Sequence, residues 1–91
     1  MTLFCPRCGS RHLTPSAVNR DGHVTLDCLN CGQSWDARPV NPDMTVALRV
    51  AGARMDAGTR IGVVSDLPEM KAAAMTTLIE ARAEILELLV A

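Results

Sequence analysis

Apolar residues recur along this chain with two different rhythms. Over residues 66–90, DLPEMKAAAMTTLIEARAEILELLV, they return at helical spacing. At about 100° per residue, Leu67, Ala74, Leu78, Ala81 and Ile85 share one face. Met70 and Leu88 flank one side, and Met75, Ile79, Leu86 and Leu89 spread the other, while Glu69, Glu80 and Glu87 lie opposite. Asp66 and Glu69 make a capping-box-like start, and Pro68 is tolerated in a first turn. The pattern predicts an amphipathic helix. Its apolar arc spans about half the helix circumference, wider than one short neighbouring helix covers, and Lys71 and Arg82 project into it. Their stems either snorkel to water or pair with acids across a helix–helix contact.

Residues 44–64 carry a second helical stripe, Met44, Ala47, Leu48, Ala51 and Met55. Asn41 suits its cap, Pro42 its start and Gly58 its end. Val46, Leu48 and Val50 also alternate as a strand would, and Gly52 weakens a helix, but the longer stripe favours the helix.

Before residue 38 the rhythm is that of short strands and turns. NRDG, residues 19–22, suits a hairpin tip because Asp-Gly accommodates positive φ. RHLTPSAV and HVTLDCL would be its arms, and Pro15 keeps the first arm from a sheet centre. RPVNPD, residues 38–43, breaks both rhythms. The organisation expected is a unit over 1–38, a linker over 39–43 and a helical interaction module over 44–91.

Composition sharpens this. The chain has 91 residues, 48% hydrophobic but only 2% aromatic, so it is not disordered by composition yet has little bulky core material. Cores this small usually need a staple. The net charge is −1, and four thiolates around one Zn²⁺ would take it to about −3. Residues 44–64 lean basic through Arg49, Arg54 and Arg60, and residues 65–91 lean acidic. No segment has the strong basic footprint of a non-specific nucleic-acid binder. No apolar run is long enough to span a membrane, and no basic start precedes an apolar stretch, so a reducing, cytoplasmic setting is expected.

The staple is visible as two CxxCG units. Cys5 and Cys8 form one, and Cys28 and Cys31 the other. Each can form a knuckle that aims two sulfurs at one point, and a hairpin that joins the knuckles completes a tetrahedral four-sulfur site for Zn²⁺. Gly9 and Gly32 stand where each turn commonly needs positive φ. Backbone N–H groups in the knuckles can then donate to the sulfurs. Paired disulfides would require an oxidising compartment. A rubredoxin-like iron would want more apolar shielding than Phe4 and Trp35 supply. His12 and His23 lack the spacing of a Cys₂His₂ finger, and four protein ligands leave no open position for catalysis. Trp35, four residues after Cys31, reads as the ribbon's core residue, covering the metal with Phe4 beside it, or as a partly exposed anchor for a partner.

FCPRCGSRHLTPSAVNRDGHVTLDCLNCGQSWDA, residues 4–37, resembles the short N-terminal zinc-ribbon family common in alphaproteobacterial proteins. Cys5, Pro6, Cys8, Gly9, Pro15, Gly22, Cys28, Cys31, Gly32 and Trp35 occupy that family's places. The CxxCGxxW knuckle is also similar to the ribbon of S-type transcription elongation factors. Those carry an acidic pair at the hairpin tip, where this chain has only Asp21, so their role in transcript cleavage is not carried over. The resemblance implies a zinc-ribbon fold, four Cys as metal ligands, and docking rather than catalysis. His12 replaces an aromatic usual in the first arm, and His23, Thr25 and Asp27 stand where basic residues are common.

The expectation is therefore a small zinc ribbon, a β-hairpin with two Cys knuckles, followed by an α-helical tail of two helices. It would act as a non-enzymatic adaptor or regulatory protein that docks a protein partner, in transcription or a similar assembly. Candidate contact residues are Trp35, Arg7, Arg11 and Arg20 on the ribbon and Leu78, Ile85 and Leu89 on the last helix, which would also support homo-oligomers. The alternative is a small DNA- or RNA-binding regulator using the ribbon arginines with Arg49, Arg54 and Arg60.

Overall fold

A computed structural model describes residues 3–39, 41–64 and 66–90. Three strands come first: β1 (Leu13–Val18), β2 (Val24–Cys28) and β3 (Ser34–Ala37). A 3₁₀ turn at Pro42–Met44 leads into α1 (Thr45–Val64), and α2 (Pro68–Val90) follows. Val40, within the expected linker, lies outside the described residues.

The hairpin tip forms where Asp-Gly placed it. Asn19 closes it, its Oδ1 accepting from the N–H groups of Asp21 and His23, and Gly22 takes φ +77. Gly22 also lies against Thr45, which an added Cβ would meet at 2.9 Å, so the tip docks on the start of α1. Pro15 sits in an edge strand, and the β1–β2 register shifts between Pro15 and Ala17.

A two-stranded ribbon was expected, and the sheet has three antiparallel strands, with β2 central. Four residues with two polar members leave little strand signal in β3. Pairing supplies what propensity does not: Trp35 lies opposite Leu26 and Ala37 opposite Val24. Leu13, Pro15 and Val18 of β1, Val24, Leu26 and Cys28 of β2, and Trp35 and Ala37 of β3 thus share one face. The other face is polar: Ser34 Oγ donates to Asp27 at 2.6 Å and Thr25 Oγ1 to Asp36 at 2.9 Å.

The apolar face packs on the helices. Leu13, Val24 and Leu26 join Leu48, Ala51 and Met55 of α1 and Ala81, Ile85 and Leu89 of α2 in one buried cluster. Each fully buried aliphatic side chain there contributes about 1.5–3 kcal/mol. Cys5 and Cys28 belong to the same cluster, so the two CxxCG units are continuous with the core.

Residues 44–64 are helical, as the longer stripe implied, and Asn41 caps the preceding 3₁₀ turn through its Oδ1 to Asp43 N–H. Gly58 does not end α1, which runs on to Val64. Its role is contact: a Cβ there would meet Leu78 Cγ at 3.1 Å and the Ala74 carbonyl oxygen at 3.2 Å. Gly52 does the same toward the sheet, where a Cβ would meet Val18 at 2.7 Å. At these two glycines α2 and β1 approach the backbone of α1 closely. α2 starts at Pro68, with Lys71 N–H bonded to the Leu67 carbonyl, one residue later than an Asp66 cap would place it. An ion pair between Arg54 and Glu84 links the helices at a half-exposed edge.

Candidate metal centre

The two knuckles are built alike. Cys5 N–H bonds to the Ser10 carbonyl and Gly9 N–H to the Cys5 carbonyl, while Cys28 N–H bonds to the Gln33 carbonyl and Gly32 N–H to the Cys28 carbonyl. Gly9 and Gly32 take φ +75 and +79, and nothing lies where their Cβ atoms would be, so the positive φ alone requires glycine. The first knuckle precedes β1 and the second joins β2 to β3. Register finishes the work: Leu13 pairs with Cys28, and Leu29 N–H bonds to the His12 carbonyl, which holds the two turns side by side.

The result is one cluster of four sulfurs, Cys5, Cys8, Cys28 and Cys31, all within 4.8 Å of one another. Cys5 Sγ lies 3.6 Å from Cys31 Sγ, and Cys8 Sγ 3.6 Å from Cys28 Sγ. Bonded sulfurs would be about 2.05 Å apart, and all four cysteines are free. A tetrahedral ion with bonds of about 2.3 Å would separate its sulfurs by about 3.8 Å, so the donor set fits a four-coordinate metal.

The surroundings favour thiolate at two of the four. The Ser10 N–H, then the Asn30 side chain, pull the Cys8 thiol down to about 6. The Cys31 N–H, 3.4 Å from Cys28 Sγ, is the chief cause of a downward shift at Cys28. At Cys31 the Gln33 N–H lowers the thiol, but burial and the neighbouring sulfurs outweigh it and push it up to about 11. The protein groups thus hold part of the negative charge, and a cation among the sulfurs would hold the rest.

The sequence reading identified all four sulfur residues but missed Asn30. Its Nδ2 donates to Cys8 Sγ at 3.7 Å, from the second knuckle to the first. The available signal was a side-chain amide between Cys28 and Cys31.

The other candidate residues are not gathered at this centre. Arg7, Arg11 and Arg20 are all exposed, on the first knuckle, the segment before β1 and the hairpin tip. Trp35 is half-buried and packs against the core from β3, whereas Phe4, expected beside it, is 55% exposed. Leu78 is half-buried against the core. Ile85 and Leu89 correct the expected partner-facing surface: both are buried in the chain's own core. The wide arc of α2 is covered there by sheet and α1 together, which a two-helix reckoning could not anticipate. Lys71 is exposed, and Arg82 is half-buried, with its Nε buried and without a hydrogen-bond partner among the described residues.

No family model, curated protein or solved structure matches the chain. Among the described residues, no helix is long and apolar enough to cross a membrane.

Proposed function

We propose that this chain is a non-enzymatic zinc-ribbon adaptor, in which Zn²⁺ held by Cys5, Cys8, Cys28 and Cys31 fixes a small head that docks a protein partner. The observation that carries this reading is the closed donor set. Four sulfurs within 4.8 Å fill a tetrahedral shell and leave no position for water or substrate. Zinc is preferred to iron because the centre is poorly shielded: Cys8 is exposed, and so is Phe4 beside Cys5. When bound, the ion would supply structure rather than chemistry.

Docking is supported by apolar side chains left open at the knuckle end. Leu29, inside the second knuckle, is 68% exposed, and Phe4 adjoins the first. Apolar groups on a rigid support, bordered by Arg7 and Arg11, suit a protein contact with a polar rim. A nucleic-acid surface has less support. Arg54 is engaged by Glu84, and Asp27 and Asp36 lie on the open face of the sheet. A transcriptional or similar regulatory assembly is proposed from the resemblance of the ribbon.

The test has two arms. Elemental analysis of the purified full chain should find one zinc per molecule. A partner captured on the zinc-loaded chain should then bind saturably, and Phe4→Ala with Leu29→Ala should weaken it about tenfold or more. A red, iron-loaded protein would point to electron transfer instead. Binding to DNA or RNA that falls steeply with salt, with no protein complex, would replace the adaptor reading by the nucleic-acid one.

A further inference from the structure

Among the described residues, nothing covers the outward face of α1. Val46, Val50 and Ile61 are 67%, 56% and 41% exposed, and Ala53 and Ala57 between them are exposed as well. Steps of four, three, four and four residues put these five on one stripe, opposite buried Leu48, Ala51 and Met55. Along one edge stand Arg49, Asp56 and Arg60, all exposed. None of these three makes an ion pair among the described residues, where Arg54 pairs with Glu84.

We infer that this face is a homodimer interface, on which a second copy of the chain packs with its α1 antiparallel. A two-fold antiparallel contact brings the same edge of each helix together. The charges admit two registers, Arg49 opposite Asp56 or Asp56 opposite Arg60, and the apolar stripe chooses the first, because the second leaves Val46 and Val50 beyond the end of the other α1 at Val64. With Arg49 opposite Asp56 of the second copy, symmetry forms the pair twice. The same register drops Val50 between Ala53 and Ala57 of the other helix and Val46 between its Ala57 and Ile61. Ala53 falls near the two-fold axis, where its small side chain lets the helices approach closely. Arg60 falls opposite Thr45 and meets no like charge. Charge spacing and apolar spacing together thus select one arrangement in which the face complements itself, which is the argument for a second copy over an unrelated helix. Arg20 and Arg49 line one cleft with Asp56 between the hairpin tip and α1, so the edge is shaped as well as charged.

This inference does not depend on the adaptor reading. It makes any docking head bivalent, because each dimer carries two ribbons.

The test is sedimentation equilibrium of the full chain in zinc-containing buffer, with far-UV circular dichroism as a control for folding. The wild type is expected to dimerise. Val50→Glu, Arg49→Asp and Asp56→Arg should each weaken the dimer about tenfold or more. Arg49→Asp and Asp56→Arg mixed in equal amounts should form a heterodimer, since both contacts are then oppositely charged. Ile79→Glu, on the exposed flank of α2, should change nothing. A wild type that stays monomeric overturns the proposal. So does dimerisation of Arg49→Asp or Asp56→Arg at wild-type strength. Failure of the mixture to recover sinks the register and the proposal with it, as does loss of the dimer in Ile79→Glu alone.

Discussion

Asn30, in the second knuckle, directs its side-chain amide at the sulfur of Cys8 in the first, with Nδ2 3.7 Å from Sγ. One polar side chain thereby ties the two halves of the cage and favours the thiolate form of Cys8. Asn30→Ala removes that donor while leaving the backbone of the knuckle intact. Groups that support metal ligands typically cost about 10–100-fold in affinity when lost. Competition with a chromophoric chelator should therefore show zinc held at least about tenfold more weakly by Asn30→Ala. Unchanged affinity would mean the contact is incidental.

Two glycines of α1 should respond to alanine with opposite signs. In an exposed helix interior, Gly→Ala stabilises by roughly 0.5–1 kcal/mol. At Gly62 the nearest neighbour an added Cβ would meet is the Ala74 Cβ at 3.9 Å, an ordinary contact. Gly62→Ala should raise the urea midpoint accordingly. At Gly52 the same atom would stand 2.7 Å from Val18 Cβ, and the sheet would have to move off the helix. Overpacking costs about 1–3 kcal/mol, so Gly52→Ala should lower the midpoint despite its better propensity.

These glycines also mark where sequence reading stopped. The periodicity of α2 and the stripe of α1 were legible because each repeats over several turns, and Leu48, Ala51, Met55, Ala81 and Ile85 are indeed buried. The cage was legible because paired CxxCG spacing has few other uses, and the cluster of sulfurs agrees with it. Gly58 was misread as a stop because a glycine required by a neighbouring helix looks locally like a glycine that ends one. β3 was missed because its stability lies in Trp35 and Ala37 meeting Leu26 and Val24, which are remote along the chain. Whether an apolar face meets its own sheet or a partner is likewise a property of topology. Ile85 and Leu89 were assigned outward for that reason.

Ile85 and Ile79 separate these two uses of α2. Ile85 is buried in the core and Ile79 is exposed. Truncating a buried Ile to Ala costs about 2–5 kcal/mol, against a total stability of about 5–15 kcal/mol for a typical domain. Ile85→Ala should thus lower the thermal midpoint severely or prevent folding. Ile79→Ala should stay within about 0.5 kcal/mol of wild type. Comparable losses at the two positions would contradict the way α2 is oriented on the core.

Removal of the metal should reach beyond the knuckles, because Cys5 and Cys28 are buried in the cluster that joins sheet and helices. Structural zinc contributes about 10–16 kcal/mol of apparent binding free energy near neutral pH. That matches or exceeds the whole net stability of an ordinary small domain. Without the ion, the four sulfurs lose their common centre, and β2 loses the anchor at its Cys28 end. The sheet should then come apart, while α1 and α2 still pack on each other and retain part of their helical signal. Trp35 is the only tryptophan and sits half-buried on β3, so its emission reports the sheet alone. A strong chelator should shift that emission to the red while the helical circular dichroism falls only partly, and added Zn²⁺ should reverse both. Cys28→Ser should behave as the chelated wild type. An emission spectrum and melting midpoint unmoved by complete zinc removal would show that the sheet is held by its apolar face, with the four sulfurs as passengers.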